Sequence, residues 1–201
     1  MVRKTQRGAD CLNWSFSSAI FIRLGWSPSR RLAPFRLQSV CKMRDPLAYF
    51  ITWTTYGTWL PGDRRGWRRW KRGEEQPKPL LEAWCRDRLK RQPVILDELQ
   101  REQVEHGCQS HATHRGWDLH AVNARSNHVH AVVTADTKPN LVRDQLKANA
   151  TRVLRVHFQQ LENIQVWTRG GDIDFIDSED ALDHVVRYVS QSQDRMDRGK
   201  Q

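Results

Sequence analysis

Two periodicities in the hydrophobic pattern predict the elements of this chain. Strands are expected where apolar and polar positions alternate or β-branched and aromatic residues dominate, and helices where apolar residues recur every three or four positions. In chain order the pattern predicts a strand at 47–55, a loop at 63–79, an amphipathic stretch at 80–91, a helix at 97–114, a hairpin of strands at 116–124 and 127–136, a helix at 140–159, an edge-like strand at 170–177 and a last helix from about 178 to 193.

Dispersed strands, with a hairpin in the middle, indicate the fold class. Strands that alternate with helices in this order are typical of an α+β sandwich, in which helices pack on an antiparallel sheet. The simplest arrangement is a ferredoxin-like or RRM-like palm. The last helix would then lie against the palm and carry the tyrosine discussed below.

The second strand of the hairpin contains two histidines in the segment "ARSNHVHAVV". Successive side chains of a strand point to opposite faces, so His128 and His130 share one face of the sheet while Val129 and Ala131 share the other. Two imidazoles on a rigid strand can converge on one metal ion. The alternative is a pair of surface histidines on the polar face of a half-buried strand.

The net charge of +10 is concentrated at the N-terminus. Residues 1–42 hold eight Lys or Arg against the single Asp10, a net charge of +7, so the remaining 159 residues contribute only +3. This segment has no sustained periodicity and ends just before Met43. Three interpretations fit this segment. It is untranslated or disordered sequence that an upstream start adds ahead of the true start at Met43, a basic arm that touches nucleic acid, or an organellar transit peptide. We favour the first. The predicted divisions are an extension at 1–42, a catalytic domain at 43–195 and a tail at 196–201.

Composition points to a soluble, cytoplasmic protein. Hydrophobic residues make up 38% of the chain and charged residues 28%, and no apolar run approaches the roughly 18 residues that a membrane helix needs. The cysteines Cys11, Cys41, Cys85 and Cys108 form no C-x-x-C pair. Scattered cysteines of this kind predict reduced thiols in the cytosol, and no contact with a membrane.

The last predicted helix, "SEDALDHVVRYVSQSQD", carries one tyrosine at the rim of its apolar stripe. Leu182, Val185, Val186 and Val189 recur at helical spacing and form the core stripe, and Tyr188 lies at the edge of that stripe. A lone tyrosine in such a place ordinarily packs on the core rim with its hydroxyl in water. Here it follows an H-x-H strand and has amide side chains close by.

These segments together resemble the HUH endonucleases, and within them the single-tyrosine transposases of insertion sequences and their REP-associated relatives. The matching segments occur in the family's order from Met43 to about Gln193, and they are "YFITWTTYGTWLPGD", "RGWDLHAVNARSNHVHAVV", "LKANATRVLR", "VWTRGG" and "RYVSQSQD". The resemblance implies that Tyr188 is the nucleophile and that His128 and His130 hold a divalent metal, Mg²⁺ or Mn²⁺. It also implies cleavage and rejoining of DNA through a 5′-phosphotyrosine.

The third metal ligand departs from the family pattern. Related transposases place Gln or Asn four residues after the tyrosine, where this chain has Ser192. On a regular helix Gln191 lies about 60° from Tyr188 and Gln193 about 140°, so Gln191 is the preferred ligand. Gln193 remains an alternative if the helix loosens at its end, and His184 is a more distant candidate.

A second group of potential ligands lies on the long helix. Cys108, His111 and His114 recur every three residues, with His106 nearby. This spacing drifts about 60° per step around a helix, and no second pair with zinc-finger spacing follows. Structural zinc is therefore not expected at these residues, and His120 and His157 are interpreted as ordinary strand and helix side chains.

Basic and aromatic residues interleave in "RRGWRRWKR", residues 64–72, which we call the basic loop. Guanidinium groups on phosphates and indoles on bases are the contacts that single-stranded DNA binding uses. The alternative is a solvated charge run. The predicted DNA-binding residues are Arg64, Arg65, Trp67, Arg68, Arg69 and Trp70.

The partner implied by these features is single-stranded or hairpin DNA. One competing function is a domesticated, non-catalytic protein that binds folded single strands with the same palm, and the altered position 192 favours it. Another is a replication initiator or relaxase of the same superfamily. The resemblance implies a homodimer if the chain follows the short family members, which form dimers with shared active sites. REP-associated relatives, in contrast, can act as monomers.

Overall fold

The computed structural model describes residues 46–69 and 73–192, with only the backbone at positions 68, 69 and 192. Within these residues the elements are β1 (Ala48–Thr54), β2 (Trp67–Arg69), β3 (Gly73–Glu75), α1 (Pro79–Asp87), α2 (Glu98–Arg115), β4 (Asp118–Ala124), β5 (His128–Thr134), α3 (Pro139–His157), β6 (Asp172–Ile176) and α4 (Glu179–Arg187). The predicted extension 1–42 and tail 196–201 lie outside the described residues, and the domain boundaries stay predictions.

The main sheet is antiparallel, with the strand order β4-β5-β1-β6. Helix α2 connects the first main strand to the second, and α3 connects the third to the fourth. This is the β-α-β-β-α-β order of a ferredoxin-like fold. The predicted α+β palm, its central hairpin and its edge strand β6 are confirmed.

Helices cover both faces of this sheet. Ile51, Trp53, Val129 and Ala131 point to the side of α2 and α3 and belong to the larger core, which includes the helix residues Val104, Val142, Leu146 and Leu154. Phe50 and Val132 point to the other side, where they pack with α4 around Leu182 and Val189. Because alternate residues of each strand are buried against different helices, the strands β1 and β5 are apolar on both faces except at a few polar positions.

Side-chain caps explain where the helices begin. The Asp97 carboxylate accepts a hydrogen bond from the Gln100 amide at 2.8 Å, and the Gln100 side chain accepts one from the Asp97 amide at 3.2 Å, which is a capping box. Gly116 ends α2 in the left-handed conformation. Ser178 caps α4, close to the predicted start of this helix. None of the described helices is long and apolar enough to cross a bilayer.

Two segments differ from the sequence-based prediction. The predicted loop at 63–79 contains the small hairpin of β2 and β3, which is too short to show a periodic pattern. The last helix is regular only to Arg187 and then continues as one π-helical turn over Tyr188–Ser192, which we call the π-turn. Three-residue strands and single wide turns leave no periodic signal in a sequence.

The segment before β6 is threaded tightly against β1. Gly171 adopts a φ of +145°, and a Cβ at this position would lie 2.7 Å from the backbone oxygen of Thr52 and 3.1 Å from Cβ of Trp53. Both neighbours belong to the central strand and cannot move independently. Gly171 therefore permits the close approach through which β6 joins the sheet.

Replacing Gly171 with Ala should lower the free energy of unfolding by about 2–5 kcal/mol, because the methyl group adds a backbone clash to an unfavourable φ. The matched control is Gly66→Ala, since Gly66 also has a positive φ (+93°) but has no atom within 4 Å of an added Cβ. That control should cost only about 1–2 kcal/mol. Urea unfolding measures both, and equal losses would show that the close approach to Thr52 is unimportant.

Candidate active site

A row of polar side chains crosses the sheet on the side of α4. The strand register places Asn123 opposite His130, His130 opposite Thr52, and Thr52 opposite Asp172. Residues directly opposite each other in neighbouring strands project from the same face. Asn123, His130, Thr52 and Asp172, which we call the polar row, therefore lie side by side across four strands.

His130 occupies the buried middle of this row. Only 8% of the residue is exposed, its Nδ1 atom lies 2.8 Å from Oγ1 of Thr52, and its ring stacks on Phe50 at a centroid distance of 5.4 Å. Burial lowers the pKa of His130 to about 3, and electrostatic interactions with His128 and Arg125 act in the same direction. The imidazole is therefore neutral at physiological pH, which is the form that binds a metal.

His128 lies beside His130 on the same face, as the spacing of the two residues predicted. The two rings are 4.7 Å apart between centroids. Nδ1 of His128 lies 2.6 Å from Oδ1 of Asn127, so Nε2 is the atom that each histidine would offer to a metal. Hydrogen bonds from the second ring nitrogen to nearby oxygens orient metal-binding histidines in this way.

Tyr188 reaches the histidines from the end of α4. Its ring is 6.0 Å from that of His130 and 6.4 Å from that of Phe50, between centroids. The tyrosine is the first residue of the π-turn, whose Val189 is fully buried. The Asn123 side-chain amide donates a hydrogen bond to the Val189 carbonyl at 3.2 Å. The polar row thus anchors the turn that carries the tyrosine.

The π-turn changes the argument about the third ligand. In a π-helix each backbone amide bonds to the carbonyl five residues earlier, so residues four and five positions apart come onto one face. The preference for Gln191 over Gln193 assumes a regular helix, and this assumption is wrong at the π-turn. Gln191 and His184 are exposed in the structure, and Gln193 lies outside the described residues.

The donor set at this site is two imidazoles rather than a complete cage. Among the described residues no three His, Cys, Asp or Glu side chains cluster closely enough to bind a metal. A divalent ion at the histidines would therefore need oxygen ligands from an amide, water or the substrate. Two adjacent imidazoles on a rigid strand, of which His130 is neutral, fit such an ion.

The sequence of the second half of the chain matches a known family. The model of IS200-like transposases matches residues 84–192, which is more than half of the 201 residues. The chain belongs to the IS200-like transposase family. The matched segment of this transposase contains both histidines and the tyrosine, and the resemblance drawn from the sequence motifs is confirmed. No curated protein matches the transposase sequence.

Two solved structures are distantly similar to this transposase. One is a protein classed as a transposase from Deinococcus radiodurans R1, with 15% identity, a TM-score of 0.43, and coverage of 79% of this chain and 95% of that chain. The other is a REP-associated tyrosine transposase bound to a REP hairpin, with 12% identity, a TM-score of 0.43, and coverage of 82% of this chain and 74% of that chain.

The basic loop of the transposase is partly built into the fold. Arg65 forms an ion pair with Asp63 at 2.7 Å, donates to the Thr58 carbonyl at 2.8 Å and lies over the ring of Trp59 at 4.4 Å. Trp67 is 5% exposed, and its indole N–H donates to the Gln76 carbonyl at 3.0 Å. Arg65 and Trp67 thus support the loop itself, and the DNA contacts predicted for them stay predictions.

The other predicted members of the basic loop are less constrained by the structure. Arg64 is exposed. The side chains of Arg68 and Arg69, and all of Trp70, lie outside the described part of the chain. DNA contact by these four residues stays a prediction.

The candidate ligands on α2 point in different directions. Cys108 is fully buried in the core, and burial, together with the charge of Glu105, raises the pKa of its thiol to about 12. His106 and His114 are exposed, while Nε2 of His111 lies 3.0 Å from Oε1 of Gln145. One side chain thus faces the core and two face solvent, which agrees with the drift of the spacing.

Sequence reasoning missed Thr52, Asn123 and Lys147. The sequence does contain a signal for Thr52. Thr52 and Thr54 are the polar positions of an otherwise apolar strand, and they are two residues apart, as the two histidines are. Asn123 and Lys147 had none, since their roles depend on backbone carbonyls from distant parts of the chain.

Lys147 secures the segment that precedes β6. Its Nζ atom donates to the carbonyls of Thr168 and Gly170 at 2.7 and 2.6 Å. Burial lowers the pKa of Lys147 to about 8, with Arg143 acting in the same direction and Asp144 opposing both. The ammonium therefore holds the Thr168–Gly171 segment, but at the cost of desolvating its charge.

This buried lysine predicts an unusual pH dependence of stability. Between pH 8 and about 10.5 the unfolded chain binds a proton that the folded chain has lost, so the free energy of unfolding should rise with pH across this window. The free energy of unfolding of the wild type, minus that of Lys147→Met, should increase across this window by on the order of 1–3 kcal/mol. Urea unfolding between pH 7 and 10.5 measures it. Lys90→Met, at an exposed position, is the control, and a flat difference for Lys147→Met would contradict the assignment.

Proposed function

We propose that this protein is a metal-dependent tyrosine transposase that cleaves and rejoins single-stranded or hairpin DNA through a 5′-phosphotyrosine. The observation that carries the proposal is the convergence of Tyr188, His128 and His130. Their rings form one contiguous cluster, with centroids 4.7 Å apart between the histidines and 6.0 Å apart between His130 and Tyr188. The histidines lie on β5 and the tyrosine lies in the π-turn, and nothing in the packing of the core requires all three to be polar.

The chemistry assigned to Tyr188 is a phosphoryl transfer. The phenolic oxygen attacks the phosphorus of a DNA phosphodiester, forms a new P–O bond, and displaces the 3′-oxygen of the neighbouring nucleotide. The phenol loses its proton and the released 3′-oxygen gains one, so the products are a 5′-phosphotyrosine and a 3′-hydroxyl. Attack by a 3′-hydroxyl on the phosphotyrosine reverses these changes and rejoins the strand. The covalent link conserves the bond energy between the two steps.

His128 and His130 would hold the divalent ion through Nε2. When bound, Mg²⁺ or Mn²⁺ would polarise the phosphate and absorb charge that develops in the transition state. The protein keeps both rings in place through β5, and the Thr52 hydroxyl accepts a hydrogen bond from Nδ1 of a metal-binding His130. An amide of the π-turn region, Gln191 or Gln193, would complete the ligand set. Phe50 limits access of water to the buried side of the site.

The basic loop would hold the DNA strand. Exposed Arg64, together with Arg68, Arg69 and Trp70, would contact phosphates and bases. Arg65 serves this function indirectly, because its ion pair with Asp63 and its contact with Trp59 maintain the shape of the loop.

A covalent adduct tests the proposed chemistry. End-labelled single-stranded DNA from the flanks of the gene, incubated with the protein and Mn²⁺ or Mg²⁺, should yield a protein–DNA adduct that resists denaturation. The adduct should be absent in Tyr188→Phe, because that change removes only the attacking oxygen. His128→Ala and His130→Ala should abolish it while leaving most DNA binding intact. Denaturing gel electrophoresis followed by peptide mapping measures the outcome.

The chain provides matched controls for this experiment. Tyr49→Phe and Tyr56→Phe change the only other tyrosines of the chain and should retain the adduct, and His120→Ala should retain it as well. Of Gln191→Ala and Gln193→Ala, the variant that loses the true ligand should need more metal for the same yield. An adduct that persists in Tyr188→Phe would refute the nucleophile. Absence of any adduct would favour the domesticated, non-catalytic binder.

The role of the basic loop is measured by the salt dependence of DNA binding. The triple change of Arg64, Arg68 and Arg69 to Ala should reduce the slope of log K against log salt concentration by up to about 2, since each phosphate contact on a single strand contributes about 0.7. Arg65 is retained because it supports the loop. The matched control is Arg152→Ala on α3, across the sheet from the site, and an unchanged slope in the triple variant would exclude the loop from the binding surface.

A further inference from the structure

A cleft of about 590 Å³ opens beside the polar row, at the end formed by Thr52 and Asp172. It lies between the main sheet, the basic loop and the small hairpin of β2 and β3. Its volume is within the range of pockets that bind small ligands. Its lining includes Thr52, Thr54, Trp59, Glu74, Gln76 and Asp172.

This cleft is continuous with the candidate active site. Thr52, which lines the cleft, contacts Nδ1 of His130 at 2.8 Å. Thr54, opposite His128 in the sheet, also lines it and lies 2.8 Å from Thr168 between the two hydroxyl oxygens. One threonine therefore separates the cleft from the metal-binding face. A strand whose phosphate lies at the histidines would bring its neighbouring nucleotide to the mouth of the cleft.

The walls of the cleft suit a nucleobase better than a phosphate. Trp59 presents an indole that is held in place, because its N–H donates to the Gly66 carbonyl at 3.0 Å and the Arg65 guanidinium covers its ring. Glu74 and Asp172 place carboxylates in the lining, and Gln76 adds an amide. Carboxylates repel the DNA backbone, and they accept hydrogen bonds from the exocyclic amino groups of bases.

We propose that this cleft binds one unstacked base of single-stranded DNA next to the cleaved phosphate, and that it selects bases with an exocyclic amino group over thymine. The inference rests on the proposed function, because that function supplies the single strand. Trp59 stacks on the base, and Glu74 or Asp172 accepts its amino hydrogens. Arg64, which also lines the cleft, binds the phosphate at the rim. Thymine has no amino group to donate to these carboxylates.

Homopolymer binding tests this preference separately from catalysis. Tyr188→Phe protein, which cannot form the covalent adduct, is titrated with fluorescent dC12, dA12 and dT12, and anisotropy gives the Kd. The dC12 and dA12 strands should bind on the order of tenfold more tightly than dT12, the value expected of one specific base contact. Glu74→Gln and Asp172→Asn should each reduce this preference several-fold while leaving dT12 binding unchanged or tighter. Trp59→Leu should weaken binding of all three strands.

The control is Glu162→Gln, an exposed carboxylate outside the cleft, which should keep the full preference. Two outcomes would overturn the proposal. One is equal affinity for the three strands in Tyr188→Phe protein with no further change, and the other is a preference that survives both Glu74→Gln and Asp172→Asn. Loss of preference in either variant supports it. The adduct assay is independent: an adduct without base preference refutes only the cleft, whereas preference without an adduct refutes only the covalent mechanism.

Discussion

The pairing register of β1 with β5 is the constraint on which the site depends. Thr52 lies opposite His130 and Thr54 opposite His128, so the polar positions of two otherwise apolar strands coincide on one face. A slip of one residue in either strand would turn its polar side chains into the core under α2 and α3. The buried faces of both strands prevent this slip, since Ile51, Trp53, Val129 and Ala131 are all 1% exposed or less. The same hydrophobic contacts that hold the sheet together therefore position the imidazoles.

Burial of His130 illustrates how the fold compensates for polar groups at the candidate active site. Moving an imidazole out of water disfavours its charged form, and the Thr52 hydroxyl compensates by satisfying one ring nitrogen. The π-turn meets a similar cost, because a helix end leaves carbonyls without partners. Asn123 satisfies the carbonyl of Val189 there. Both compensating groups belong to the polar row, so the sheet, the histidines and the tyrosine helix are joined by hydrogen bonds as well as by packing.

Local patterns explain why much of the architecture could be predicted. Period-two alternation placed His128 and His130 on one face, and the helix predicted at 97–114 agrees with α2 to within one residue at each end. The site was harder to predict beyond its histidines and tyrosine. A mixed basic and aromatic run did not reveal that Arg65 and Trp67 also support the loop. Their contacts with Asp63 and Gln76 depend on a hairpin with no periodic signal.

The sequence by itself determined the strands of the main sheet and the helices, their order, the shared face of the two histidines and the family. These follow from short-range steric and hydrophobic rules and from motifs that are contiguous in the sequence. Only the tertiary structure decided that Tyr188 begins a π-turn, that Asn123 holds that turn, and that Thr52 and Asp172 extend the row of polar groups to a cleft. The physical reason is that these features arise from contacts between residues 66 to 120 positions apart in the chain. Such contacts are selected by packing of the whole sheet, and no local pattern encodes them.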